Sequence, residues 1–185
     1  MPFERGFKAQ CERRSLDLRK ALGLGSTDPL LADDLARHLG INVRTAADFP
    51  GLSEVAREAL AHDESGWSAV TLECGTNKLI ILNGTHSSGR QSSDLMHELA
   101  HHLLEHRPSE VDVSQEGLLV LHSFNRVQET EADWLAASLL LPRPVLVYVK
   151  TRFSELEEGA RHFRVSLAML RYRLDVTGVN YQFGR

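Results

Sequence analysis

Residues 92–104 read SSDLMHELAHHLL, and this stretch predicts the helix around which the rest of the chain folds. Leucine recurs at every fourth position from Leu95 to Leu103, so these side chains lie along one face of a helix. In a globular protein such an apolar face is buried against a neighbouring element. We expect the helix to run from about Ser92 to His106 and to end before Pro108.

The same helix carries two histidines one turn apart, His97 and His101, with Glu98 between them. Residues four apart project from the same face, so both imidazoles can bind one Zn²⁺. The glutamate then lies beside the metal and can act as general base for its water. The alternative is a histidine-rich surface helix, because His102 and His106 lie in the same stretch. We assign His102 and His106 to the surface, and His97 and His101 to the metal.

A catalytic zinc site needs a third protein ligand, and a second predicted helix, from about Gln128 to Leu141, supplies two candidates. Glu129 shares a helical stripe with Asp133 and with two alanines that allow close approach to the histidine helix. Glu131 lies about 160° away around the helix, so Glu129 is the preferred ligand. Asp133 could accept a hydrogen bond from the far nitrogen of a ligating histidine. The alternative for both glutamates is a solvated acidic helix start.

Outside these two helices the pattern predicts a small antiparallel sheet with further helices around it, which is an α+β fold. The sheet rests on two β-prone runs that flank a connection containing Gly75. A polar loop, residues 84–91, then leads into the histidine helix. The remaining predicted elements are helices at 4–22 and 29–38, a strand at 41–44, and the two hairpin strands at 67–73 and 78–83.

Composition restricts the class of protein. The 185 residues suffice for one good core, and a net charge of −4 does not favour bulk binding of nucleic acid. No apolar run approaches the roughly 20 residues that span a bilayer, and the start of the chain lacks the pattern of a secretory signal. Cys11 and Cys74 lack metal-type spacing and are expected to be free thiols. We therefore expect a cytoplasmic protein with no membrane partner.

The C-terminal tail, residues 154–179, predicts two helices around Arg164-Val165-Ser166 and is similar to a helix-turn-helix. Arg164 occupies the turn position that usually holds glycine. Residues 150–185 carry seven Lys or Arg and four Asp or Glu, a local +3 that could face phosphates. We prefer a helical hairpin docked on the catalytic part. The expected division is a metallopeptidase domain at 1–147 and this hairpin at 148–185.

Two motifs together resemble the ImmA/IrrE-type metallopeptidases: HELAH at residues 97–101 and ExxADxxAxxLLxP at 129–142. The resemblance covers about residues 65–145. Two packing positions depart from the family pattern, where Leu135 replaces an aromatic residue and Ser93 replaces a phenylalanine. The resemblance implies a zincin-like core that cleaves a partner protein, commonly a helix-turn-helix repressor of the phage or stress-response type.

Three functions follow from these observations. The preferred one is a zinc-dependent endopeptidase, in which Glu98 takes a proton from water and delivers it to the leaving amine. The second is a regulator that binds DNA or a repressor, with structural or sensory zinc. The third is an interaction protein of the toxin–antitoxin type with a vestigial site. Retention of Glu98 favours catalysis, because a structural site needs no base. Mn²⁺ or Fe²⁺ could replace zinc. Candidates for stabilising the oxyanion are His122, Tyr148 and Tyr172.

Overall fold

The computed structural model describes residues 3–48, 54, 67–74, 77–106, 111–113, 119–121 and 125–184. Within these ranges the chain forms eight α-helices, a three-stranded sheet and a two-stranded sheet, which confirms the α+β class. The helices are α1 (Phe7–Ala21), α2 (Ala32–His38), α3 (Ser88–Leu103), α4 (Arg126–Leu140), α5 (Arg143–Arg152), α6 (Leu156–His162), α7 (Leu167–Val176) and α8 (Val179–Gln182). The strands are β1 (Asn42–Thr45), β2 (Ala69–Cys74), β3 (Asn77–Leu82), β4 (Val111–Val113) and β5 (Leu119–Leu121).

The three-stranded sheet is mixed, not antiparallel as the sequence predicted. The predicted hairpin is present, with β2 antiparallel to β3 and Thr71 opposite Ile80. However, β1 pairs in parallel with the other side of β3, so the order is β1-β3-β2. The central strand is the most apolar, and its Ile80, Ile81 and Leu82 are buried. A four-residue strand carries no signal of its direction, which is why the parallel pair was missed.

Helices α3 and α4 pack against each other through the faces that the sequence predicted. Leu95 and Leu99 of α3 and Ala132 of α4 are at most 1% exposed. Helix α3 begins at Ser88, four residues before the predicted start, because its first turn is polar and solvent-facing and adds nothing to the apolar periodicity. The start of α4 is fixed by Asn125, whose side chain accepts hydrogen bonds from the first backbone N–H groups. The arrangement is consistent with a zincin-like core.

Helix α5 was missed by the sequence analysis. The sequence predicts that a helix ends at Leu141, before Pro142. A new helix nevertheless begins directly afterwards, with Pro142 as its N-cap residue and Pro144 in its first turn, where a proline blocks no backbone hydrogen bond. Val145, Leu146 and Val149 of α5 are completely buried. Their one-turn spacing identifies the buried face of this helix.

The two predicted tail helices are present as α6 and α7, joined by residues 163–166. Arg164 takes the left-handed conformation, with φ 54°, at the turn position where glycine is usual. Gly159 of α6 packs on α5, since a Cβ atom there would lie 2.8 Å from Cγ1 of Val149. The hairpin therefore contacts α5, which itself contains residues 147 and 148. The division into domains at that point stays a prediction.

Two buried arginines hold the carboxyl end of α4. Arg19 of α1 donates to the carbonyl of Leu140 at 3.3 Å, and Arg173 of α7 donates to the carbonyl of Leu141 at 3.1 and 3.2 Å. Both arginines are fully buried, and burial lowers the pKa of Arg19 to about 10. The guanidinium of Arg173 also pairs with Glu12 of α1 at 2.7 Å. The two arginines thus tie α1 and α7 to the helix that carries Glu129.

We expect Glu12→Ala to lower the free energy of unfolding by about 2–4 kcal/mol, because the Arg173 guanidinium stays buried without its counter-charge. The matched control is Glu157→Ala. Glu157 pairs with Arg171 at 3.4 Å with 54% and 60% of the side chains exposed. Such a surface pair contributes less than about 1 kcal/mol. Equilibrium urea denaturation measures both variants, and equal losses would contradict the role of the buried pair.

Among the described residues no single helix is long and apolar enough to cross a membrane. The consecutive helices α4 and α5, bent by 46° relative to each other, meet the length and composition criteria only when taken as a pair.

Candidate metal centre

Helix α3 presents His97 and His101 on the face that meets α4. The adjacent face of α3, with Leu95 and Leu99, is buried in the core, so the helix cannot rotate the histidines away. Their side chains are 25% and 21% exposed, so both imidazoles remain partly accessible to solvent. The i, i+4 spacing brings the two rings within 4.7 Å of each other, centroid to centroid.

Three ligand atoms converge between the two helices. The Nε2 atoms of His97 and His101 are 3.0 Å apart. The carboxylate of Glu129 lies 3.2 Å from Nε2 of His97 and 3.5 Å from Nε2 of His101. A tetrahedral zinc site with ligands at about 2.0–2.1 Å has edges of about 3.3 Å. The donor types and the distances therefore fit a divalent metal ion.

The three carboxylates in the first half of α4 take different positions relative to this cluster. Glu129 lies in the first turn of α4, and Ala132 and Ala136 allow the helix to approach α3 closely, being at most 5% exposed. One turn beyond Glu129, Asp133 contacts Nδ1 of His97 at 2.9 Å. In the part of the chain that the structure describes, the one group able to hold a metal is His97, His101 and Glu129. The structure thus places the predicted ligands and Asp133 together, while Glu131 lies outside the cluster.

Glu98 lies beside the cluster and faces the sheet. Its carboxylate accepts a hydrogen bond of 2.5 Å from the hydroxyl of Thr71 on β2. Burial raises the pKa of Glu98, and the bond from Thr71 only partly offsets that rise. A carboxylate with a raised pKa, held outside the ligand set, is suited to accept and return protons.

The pKa values of the two imidazoles are shifted in opposite directions. Burial opposes the charged form of His97, but the hydrogen bond and charge of Asp133, with Glu98 and Glu129 nearby, raise its pKa overall. Burial and the neighbouring His97 lower the pKa of His101. Two cationic rings at this separation would repel each other, so the nearby carboxylates stabilise the charged form of only one ring.

Two residues that the sequence analysis set aside belong to the surroundings of the site. His106, which was assigned to the helix surface, is only 7% exposed, and its Nδ1 lies 3.0 Å from Nδ1 of His101. Glu131 contacts Nε2 of His106 at 3.3 Å. His106 follows the end of α3, where helical periodicity no longer applies, so no pattern in the sequence could have placed it. The contact with Glu131 was missed for the same reason.

The candidates for oxyanion stabilisation are not brought together by the described contacts. His122 lies outside the described residues. The ring of Tyr148 contacts Phe153 and Phe163 near the C-terminal hairpin. Tyr172 of α7 is 51% exposed. A different pair lies at the start of α3, where Nδ1 of the buried His86, two residues before the helix, is 2.8 Å from the carboxylate of Asp94.

The chain matches the model of the Peptidase M78 family, described as the IrrE N-terminal-like domain, over residues 36–175. This match covers well over half of the chain and includes every residue of the metal cluster. A search of curated proteins finds no significant match to the chain.

Proposed function

We propose that this chain, which belongs to the Peptidase M78 family of IrrE N-terminal-like domains, is a zinc-dependent endopeptidase that cuts a regulatory protein. One observation carries the proposal above all others. Glu98 lies beside a cluster of two imidazoles and one carboxylate, is held by Thr71, and is not itself a member of the cluster. A site that only bound metal for structure would have no use for a poised carboxylate at that position.

The residues supply the chemistry of amide hydrolysis as follows. His97, His101 and Glu129 would hold the metal, which when bound supplies a Lewis acid that activates water and polarises a carbonyl. Glu98 accepts one proton from the attacking water and later gives it to the leaving amine. The products are one carboxylic acid and one amine, and Glu98 returns to its initial state. Thr71 keeps the carboxylate of Glu98 in place between the two proton transfers.

Zinc is the metal that we propose, because two histidines and one glutamate form a ligand set typical of catalytic zinc. Mn²⁺ and Fe²⁺ accept the same ligands, and their supply in the cell would decide whether they compete.

An extended substrate could add to the edge of the small sheet. In the three-stranded sheet β2 lies at one edge, opposite β1, and it carries Thr71, which contacts Glu98. The next residue, Leu72, is 41% exposed. A peptide that pairs with β2 would form backbone hydrogen bonds and pass beside the general base. This placement supports endopeptidase activity on an unfolded or extended segment.

We propose a cytoplasmic helix-turn-helix repressor as the substrate, in phage-related or stress-response regulation. The support is family membership together with the resemblance of the two motifs. The alternative, binding of DNA or of a repressor without cleavage, is favoured by one observation. Helices α6 and α7 are joined by a four-residue turn with Arg164 in the left-handed conformation, and Arg171 of α7 is 60% exposed.

The test is incubation of the purified protein with a helix-turn-helix repressor from the same organism, followed by intact-mass spectrometry. The proposal predicts one discrete cut that a metal chelator abolishes and that added Zn²⁺ restores. The chelated and reloaded sample is the control for loss of fold. Relief of repression with no cut in any sample would replace the peptidase with the binding function, and the α6–α7 hairpin would then be the surface to vary.

A further inference from the structure

The outer nitrogen of His101 contacts a second pair of side chains that the proposed reaction does not use. Nδ1 of His101 lies 3.0 Å from Nδ1 of His106, and the two rings meet edge to face with centroids 5.0 Å apart. Nε2 of His106 lies 3.3 Å from Oε2 of Glu131. The side chains of His106 and Glu131 are 7% and 21% exposed, so solvent screens this chain of contacts only weakly.

The backbone after α3 is folded so that His106 returns over His101. Glu105 takes the left-handed conformation, with φ 55°. Its N–H donates to the carbonyl of His102, and the N–H of His106 donates to the carbonyl of His101, each at 3.1 Å. This pair of bonds is the Schellman motif, in which glycine is the usual left-handed residue. Arg14 of α1 adds a hydrogen bond of 2.6 Å to the carbonyl of Leu103, so the end of the helix is held from outside as well.

The direction of each hydrogen bond follows from the metal site. If Nε2 of His101 is a ligand, that nitrogen carries no proton, and the neutral ring is protonated on Nδ1. That N–H must donate, so Nδ1 of His106 accepts. His106 is then protonated on Nε2, and this N–H donates to the carboxylate of Glu131. Each N–H in this series of hydrogen bonds therefore meets an acceptor, and the series ends on the negative charge of Glu131.

We propose that His106 and Glu131 are positioning residues that fix the ring orientation and tautomer of His101 as a metal ligand. They do for His101 what Asp133 does directly for His97, whose Nδ1 it contacts at 2.9 Å. The difference is that the carboxylate reaches His101 through an intervening imidazole. The inference rests on the proposed function only in that a metal binds at the cluster, and it does not require cleavage.

The first measurement is the zinc affinity of the purified chain, by competition with a chromophoric chelator. His106→Phe should weaken binding by about 10–100-fold, the usual effect of removing such an outer partner. His106→Gln should recover most of the affinity, because its amide can accept from His101 and donate to Glu131. The matched control is His102→Ala, next to His101 on the last turn of α3, and it should change the zinc affinity less than about threefold.

The series of contacts from His101 through His106 to Glu131 is called the relay below. The double variant His106→Phe with Glu131→Ala tests whether these residues act in series or through two independent contacts. If the residues act in series, the double variant binds zinc about as weakly as His106→Phe alone, and the two effects do not add. Thermal unfolding of the metal-free variants is measured in parallel. His106 would prove to be only a packing residue under either of two results. One is that His106→Phe lowers the stability of the metal-free protein and leaves the zinc affinity unchanged. The other is that His106→Phe and His106→Gln weaken zinc binding equally.

The second measurement is a long-range ¹H–¹⁵N NMR spectrum of the zinc-loaded wild type. The relay requires His101 to be protonated on Nδ1 and His106 on Nε2. A proton on Nδ1 of His106 would overturn it. If the wild type binds zinc but cuts nothing, the proposed function fails and the relay stands. If the wild type binds no zinc, both fail, and if His106→Phe binds as tightly as the wild type, the relay alone fails.

Discussion

Glu98→Gln is expected to retain about one zinc ion per chain and to lose about 10²–10⁴-fold in the rate of peptide cleavage. The glutamine has the same shape and can keep the contact with Thr71, which the wild type makes at 2.5 Å, but it cannot accept a proton from water. The ligand cluster of His97, His101 and Glu129 is untouched. The rate of substrate disappearance at saturating substrate and the metal content of the same sample are measured together.

The matched control is Glu157→Gln on α6, where the carboxylate is 54% exposed and pairs with Arg171. Its cleavage rate should equal that of the wild type. A Glu98→Gln protein that cuts at the wild-type rate while holding its metal would show that the general base is elsewhere. Loss of metal from that variant would instead make Glu98 a ligand.

The second large effect concerns the metal itself. His97→Ala or His101→Ala should reduce bound zinc from about one ion per chain to almost none, because two remaining ligands do not hold a catalytic metal. His102→Ala should leave the zinc content unchanged, since His102 is not part of the three-residue cluster. Elemental analysis after gel filtration gives the stoichiometry, and circular dichroism shows that each variant is folded.

These variants test the location of the metal site without a substrate. Full zinc content in both His97→Ala and His101→Ala would place the metal elsewhere in the chain. Zinc lost from His102→Ala as well would indicate that the helix, rather than a defined ligand set, binds the ion.

Much of the centre of the molecule could be predicted because it depends on local spacing. Leu95 and Leu99 mark the buried face of α3 by their four-residue repeat, and the same repeat puts His97 and His101 on one face. The choice of Glu129 over Glu131 also came from helical geometry, and the structure places Glu129 at the two imidazoles. Periodicity is informative here because α3 has one buried and one solvated face, and because the first turn of α4, which carries Glu129, is still partly exposed.

What could not be predicted depends on contacts between distant segments or on the ends of helices. The parallel pairing of β1 with β3 joins residues 42–45 to 79–82, and nothing in either short run specifies its partner. Helix α5 was missed because a proline that ends one helix, here Pro142, can also be the N-cap residue of the next. His106 reaches His101 only because Glu105 adopts a left-handed conformation, which its side chain does not favour and the sequence does not reveal.

The most direct test of the account is a crystal structure of the zinc-loaded protein, with anomalous diffraction data collected above and below the zinc absorption edge. The account predicts one strong anomalous peak bounded by Nε2 of His97, Nε2 of His101 and the carboxylate of Glu129, at about 2.0–2.2 Å from each. Glu98 should lie beside the peak without touching it. A peak coordinated by Glu131 in place of Glu129, one bound directly by Glu98, or no peak between α3 and α4 would contradict the metal centre from which the proposed function is derived.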